Sequence, residues 1–333
     1  MEVYFMIIDK PFKTYYQQLR ILRSRNLLIP NGSRAVKILK RENYYNIING
    51  YKDIFLDSNY STDFYKPGTS FDDIYALYCF DRDLRSILLK YILRMETSLK
   101  TKIAYRFSER YPSNFNYFDI NNFRDNVSAV TSLIAHISSD IKNNVEPSRP
   151  GQKASPFSHY LEVHKELPLW VLIKKMTLGE TGYFYAALSD DLQLKILNDV
   201  YTEYQVEYRQ SPRKAASQSD ILGFSQMIKF VVAFRNICAH EERMYDNIVK
   251  HKGKIPKIIY FYMNTPLRFT SRCMDVLHIL GLFLIKSDYK CLVKEVTTEI
   301  NILSKELQPS TTNEVLIKAG FPKDWKKVLS LPK

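Results

Sequence analysis

The chain has 333 residues, 45% hydrophobic and 14% aromatic, a composition that excludes a disordered chain and allows a substantial buried core. Lys and Arg outnumber Asp and Glu by 48 to 35, a net charge of +13, so a polyanionic partner is expected, nucleic acid first and an anionic membrane surface second. Only 10 Gly and 14 Pro are present, which favours long helices over a turn-rich β fold.

The start, MEVYFMIIDKPF, has no basic n-region and too short an apolar run for a signal peptide. Residues 1–41 hold nine Lys/Arg and two acids, so +7 of the net charge sits there. Arg20, Arg23, Arg25, Arg34, Lys37, Lys40 and Arg41 are interleaved with Tyr15, Tyr16, Tyr44 and Tyr45. Cations of this kind bind phosphates and tyrosines stack on unpaired bases; a solvated helix face over core aromatics has the same pattern. Residues 1–65 are read as a basic N-terminal helical region.

A helical core is expected over 66–308. Ser70 and Asp73 form a capping-box pattern, and Ile74, Leu77, Phe80, Leu84, Leu88, Tyr91, Met95, Leu99 and Ile103 follow at three- and four-residue steps, ending before Pro112. The polar stretches 142–158 and 205–220 read as loops. LPLWVLIKKMTLGETGYFYAALS (167–189) begins as an apolar helix and is expected to break near Gly179 and Gly182. Helical spacing returns through Leu222, Met227, Phe230, Val231 and Phe234, and SRCMDVLHILGLFLI reads as a buried helix. Its run VLHILGLFLI is about half of a membrane span. Residues 309–333 read as a polar tail with a late FPKDW. No strand-like alternation persists, so the predicted class is all-α. Cys79, Cys238, Cys273 and Cys291 form no C-x-x-C pair and read as buried thiols of a reducing cytosol. A soluble, cytoplasmic protein is expected, with no membrane partner.

Recognisable catalytic motifs are few. No H-E-x-x-H, paired-cysteine, P-loop or G-x-S-x-G pattern occurs, and His159 and His164 lack partners at ligand spacing. No metal or cofactor is expected. The stretch FRNICAHEERMYD (234–246) sets Arg235 and His240 five residues apart. On a straight helix that is a rotation of roughly 140° and about 7.5 Å along the axis, so the two converge only if the helix bends or ends, or if two copies pool them across a two-fold axis. Such a pair suits RNA phosphodiester cleavage. Imidazole, with an ordinary pKa near 6.5, takes a proton from a 2′-OH and returns one to the leaving 5′-oxygen; guanidinium binds the phosphate and its developing charge. Asn236 is placed to orient either. The alternative is a solvated arginine and a histidine favoured at a helix end, with Glu241, Glu242 and Arg243 as a charged turn. Glu96 borders the apolar face of the long helix, where it either orients the site or forms an i,i+4 surface pair with Lys100.

Taken together, four segments resemble the AbiD/AbiF-type abortive infection proteins of bacteria: LKRENYYNIINGYKDIF, KPGTSFDDIYALYCFDRDLRSILLKYILRMETSLKT, LPLWVLIKKMTLGETGYFY and FRNICAH. The last is similar to the R-N-x-x-x-H signature of the HEPN ribonuclease superfamily. The resemblance implies an all-α HEPN-type helical bundle with a basic N-terminal helical extension. It also implies a metal-independent endoribonuclease of phage defence or a toxin–antitoxin system, completed by homodimerisation and associated with a small noncoding RNA. It implies Arg235, Asn236, His240 and Glu96 as site residues. The family's usual arginine after the acid is Lys100 here, an expected further RNA contact. The alternative function is a non-catalytic RNA-binding module that sequesters or is held by a small noncoding RNA; a third is a protein-interaction sensor using the two polar loops.

Overall fold

The Asp73 amide donates to the Ser70 hydroxyl at 3.1 Å, and the Ser70 amide donates to the Asp73 carboxylate at 2.8 Å. This reciprocal box satisfies two otherwise orphaned donors, and helix α3 (Phe71–Arg110) runs from it for 40 residues in the computed structural model. The structure describes residues 11–124, 127–145, 155–209, 215–250 and 269–330. All nine stripe residues of α3 are buried, as their period requires, and the helix ends two residues before Pro112.

Two compact units divide the chain, Met1–Leu84 with Thr298–Val315 and Arg85–Thr297 with Leu316–Lys333. The divisions fall inside helices, whereas the segments expected at 1–65, 66–308 and 309–333 follow loops. Sequence composition marks loops; compactness follows packing.

In the first unit, α1 (Tyr15–Ser24) packs on α2 (Gly32–Glu42). α1 starts at a Thr14–Gln17 capping box and α2 at an Asn31 cap. Leu19, Leu22, Ala35, Val36, Ile38 and Leu39 are buried, leaving the charged positions outward. A π turn (Tyr45–Asn49) and a short 3-10 turn (Asp53–Phe55) follow, and the Tyr51 hydroxyl donates to the buried Asp81 carboxylate at 2.7 Å.

The second unit contains α4 (Val127–Asn144), α5 (Pro156–His159), α6 (Leu169–Leu172), α7 (Leu178–Ala187), α8 (Asp190–Glu207), α9 (Gln218–Ala239) and α10 (Cys273–Phe283). After α11 (Lys286–Glu306) and α12 (Pro309–Lys318), both spanning a division of the units, comes α13 (Trp325–Val328). α9 packs against α7, α8 and α10, and α10 is buried from Cys273 through Leu282. Among the described residues the fold is all-α, with two isolated bridges in place of any sheet.

Several expectations need correction. The helix does not break at Gly179 and Gly182. It ends earlier, at Leu172, and the Thr177–Glu180 capping box starts α7, which runs across both glycines. Gly182 is there for proximity: a Cβ would sit 3.0 Å from Ile228 Cγ2 of α9. Leu222 is 68% exposed; Ile221 and Phe224 face the core instead. Cys238 and Cys273 are buried as expected, but Cys79 is half-buried and Cys291 exposed. Residues 142–144 continue α4, and 156–159 form α5, while 146–154 and 210–214 lie outside the described residues. The tail is not merely polar: Phe321 and Trp325 are buried and meet edge to face at 5.7 Å. α9, not the run in α10, is the helix among the described residues long and apolar enough to cross a membrane, and 56% of that window is buried in the fold, as in a core helix.

Two stability predictions follow from this packing. Gly182→Val should cost about 1–3 kcal/mol by forcing α7 off α9, read as a lower denaturant midpoint. The His278 ring in α10 is buried and neither nitrogen has a partner among the described residues; burial pulls its pKa down to about 4. The unfolded chain therefore binds the proton first as pH falls. The stability held by the neutral ring is complete above about pH 6.5 and is lost progressively towards pH 4, by up to ~3 kcal/mol. His278→Leu should flatten the fall in thermal midpoint over that range; an unchanged profile would assign the acid sensitivity elsewhere.

Candidate functional site

The end of α9 sets the geometry of the R-N-x-x-x-H stretch. The His240 amide donates to the Asn236 carbonyl at 2.9 Å and the Glu242 amide reaches back to the Ile237 carbonyl at 3.1 Å, with Glu241 at φ 56°. That is a Schellman closure with a non-glycine residue in the left-handed position. It is anchored beyond the turn by buried Met244 and Tyr245 and by the Arg243–Asp246 pair at 3.0 Å. The helix does not end between Arg235 and His240: α9 runs through Ala239 and closes at His240. His240 is the cap residue of α9 and is exposed. Its helical amide bond keeps it on the helical trace, so it still leaves roughly 140° from Arg235. What termination removes is the next turn, which would otherwise flank the imidazole.

Arg235 is half-buried and Asn236 exposed. One guanidinium Nη1–H points to Asn236 Oδ1 at 3.5 Å, a long contact, and the buried Nε has no partner among the described residues. A buried charged donor without an acceptor is costly, and an anion would relieve it. Among the described residues no side-chain hydrogen bond joins Arg235 or Asn236 to His240.

Glu96 and Lys100 occupy a different setting from the expected surface pair. They are 8% and 9% exposed, with Nζ 2.5 Å from Glu96 Oε1. Lys100 also donates to the Met176 carbonyl, while Glu96 Oε2 has no partner among the described residues. The pair lines a groove of about 590 Å³ with Leu93, Tyr105, Trp170 and Lys174. Lys100, expected to meet RNA, thus has its charge engaged inside the fold. No described hydrogen bond or ion pair joins Glu96 or Lys100 to Arg235, Asn236 or His240. The groove was not singled out in the sequence; an exposed Trp170 in an apolar segment was its only signal.

The basic helices sort their cations by partner. Arg25 pairs with Asp63 at 3.0 Å, Arg34 with Asp72, and Arg41 with Glu42 at 2.7 Å and with the Tyr75 hydroxyl at 3.0 Å. Lys40 lies 5.9 Å over the Tyr15 ring. Arg20, Arg23 and Lys37 are exposed, with no ion pair among the described residues. Tyr16 and Tyr45 are 77% and 68% exposed, whereas burial raises the pKa of the Tyr44 phenol. His159 and His164 pack ring edge to face at 5.6 Å, and among the described residues no group of three or more His, Cys, Asp or Glu is placed to hold a metal.

These features define an all-helical protein in which a half-buried Arg235 is followed by exposed Asn236 and His240 at the end of a core helix. The chain belongs to the Abi-like protein family, whose model matches residues 37–246. That span begins within α2, takes in Glu96, Lys100, Arg235, Asn236 and His240, and stops at Asp246; it leaves out Arg20, Arg23, Arg25 and Arg34. Searches of curated proteins and of solved structures give no match.

Because the Glu96–Lys100 pair is buried, removing one partner strands the other. Lys100→Met should destabilise by about 3–5 kcal/mol, and the double variant with Glu96→Gln should recover much of that loss. A double-mutant cycle by denaturant unfolding measures the coupling; additive losses would show that the pair contributes no coupling.

Proposed function

We propose that this Abi-like protein acts in abortive infection, a phage-defence response, as a metal-independent endoribonuclease working in the cytoplasm as a homodimer. Family membership supports the defence role. The observation that carries the chemistry is the exposed His240 imidazole closing α9, five residues beyond a guanidinium with an N–H unpartnered among the described residues.

His240 is the general acid/base. As neutral imidazole it accepts the ribose 2′-OH proton while the oxygen attacks the adjacent phosphorus; as imidazolium it protonates the departing 5′-oxygen. The products are a 2′,3′-cyclic phosphate and a 5′-hydroxyl. Arg235 clamps the phosphate and stabilises the charge growing on its oxygens, and Asn236 orients the guanidinium it touches. Proton transfer and charge stabilisation are thereby both supplied by side chains. One imidazole per chain serves one transfer at a time, so two copies facing each other provide base and acid together. Glu96 is assigned a positioning role through the α3 groove. In a toxin–antitoxin setting a small noncoding RNA would be the restraining partner.

The basic helices favour a second reading, a non-catalytic module that sequesters a small RNA or is held by one. Stoichiometric RNA copurifying with a protein that does not cut would support it.

His240→Ala should abolish growth inhibition on induction and lower RNA cleavage by ~10²–10⁴-fold, the usual worth of a positioned acid/base, with folding intact. Equal toxicity and equal cleavage by this variant would refute the assignment. Cleavage should also persist in EDTA, and its loss on chelation would point to a metal-dependent nuclease.

A further inference from the structure

We infer that the α1–α2 pair is a contact ledge for single-stranded RNA, built from Lys13, Arg20, Arg23, Lys37, Lys40 and Tyr16, with Arg25, Arg34 and Arg41 excluded from it. The inference rests on the RNA reading above and names the form of RNA and the residues that hold it.

Residues 11–41 contain no Asp or Glu, so cations there find acids only outside that stretch. Three do so: Arg25, Arg34 and Arg41 are held by Asp63, Asp72 and Glu42. Lys13, Arg20, Arg23, Lys37 and Lys40 have no ion pair among the described residues and are exposed. Their placement is ordered. Tyr16, Arg20 and Arg23 stand at i, i+4 and i+7, one face of α1, and Lys13 lies just before its cap. The two helices are tied at both ends. Lys40 covers the Tyr15 ring at one end, and at the other the Arg23 guanidinium lies where a Gly32 side chain would begin, 3.1 Å from its would-be Cβ. The cations without an ion pair among the described residues thus stand on two helices packed together and tied at both ends.

Exposed aromatics select the ligand. Tyr16 stands within the α1 row, and Tyr45 protrudes from the turn after α2. Rings beside phosphate-binding cations stack on unpaired bases, which a duplex keeps inside its own stack. An anionic bilayer would use the charge, yet α1 exposes two tyrosines, Tyr15 and Tyr16, among its cations, with Phe12 ahead of its cap, and carries no apolar stripe to insert.

The test measures binding of the His240→Ala protein to a 12-nucleotide oligouridylate, to a 12-base-pair RNA duplex and to phosphatidylserine-containing vesicles across a salt series. The single strand should bind at least tenfold more tightly than the duplex. Replacing Arg20, Arg23 or Lys37 by Gln should flatten the log–log salt dependence by about 0.7 each, whereas Arg34→Gln and Arg41→Gln should leave it unchanged. Tyr16→Ala should weaken binding at least fivefold, the low end of the ~1–3 kcal/mol per stacked base, with an unchanged salt slope. Equal affinity for duplex, a slope shared by all the cations alike, or charge variants that lower vesicle adsorption but not RNA binding would overturn the ledge. Because binding is read in a variant lacking the proposed acid/base, the outcomes separate: a protein that never cuts but shows these slopes keeps the ledge, and one that cuts without them loses it.

Discussion

Burial of the inner face of α9 is the constraint on which the candidate site depends. Phe224, Met227, Phe230, Val231 and Phe234 are taken out of water against α7, α8 and α10, and side chains of this size contribute about 1.5–3 kcal/mol each when fully buried. With that face committed, rotation of the helix would expose the whole row. The glycine at 182 lets α7 come close enough to hold it. The direction in which Arg235, Asn236 and His240 leave α9 is thus fixed by a hydrophobic requirement made several turns earlier. Termination at His240, anchored by buried Met244 and Tyr245, then turns a core helix into an exposed chemical edge.

Charge is handled in two ways. Glu96 and Lys100 are buried as a pair, because an isolated ion in a low-dielectric interior is untenable. Half-buried Arg106 is bound by Asp199 through two bonds of 2.7 Å and by Glu109 at 2.8 Å. Where charges are solvated, some have no ion pair among the described residues, and on α1 and α2 this leaves a local excess of cations beside exposed tyrosines. The net +13 is therefore not a uniform coat. On the proposed reading, cations already neutralised by a neighbouring carboxylate would release few counterions on meeting RNA, so those without an ion pair among the described residues would carry the interaction.

Period and capping chemistry made α3 legible, since a stripe of nine apolar residues behind a Ser–Asp box has one stable outcome, burial of that stripe. The burial of α10 was legible for a similar reason: a continuous apolar run has no face to give to water. Gly179 and Gly182 misled because glycine marks both helix ends and close helix contacts, and only the neighbour, Ile228, decides between them. Leu222 misled because α9 is apolar on more than one side. The Arg235–His240 spacing named candidate chemistry, while its exposure depended on a left-handed residue at Glu241 that no local preference announces.

The sequence by itself determined the all-helical class, the long core helix, the basic N-terminal stretch and the identity of the chemical groups, because these follow from periodicity, composition and side-chain type. Tertiary structure decided which cations are neutralised, that Glu96 and Lys100 are interior, and that His240 faces solvent at a helix end. Those outcomes rest on partners distant in sequence, such as Asp63 for Arg25 and Met176 for Lys100, and such neighbours are created only by packing.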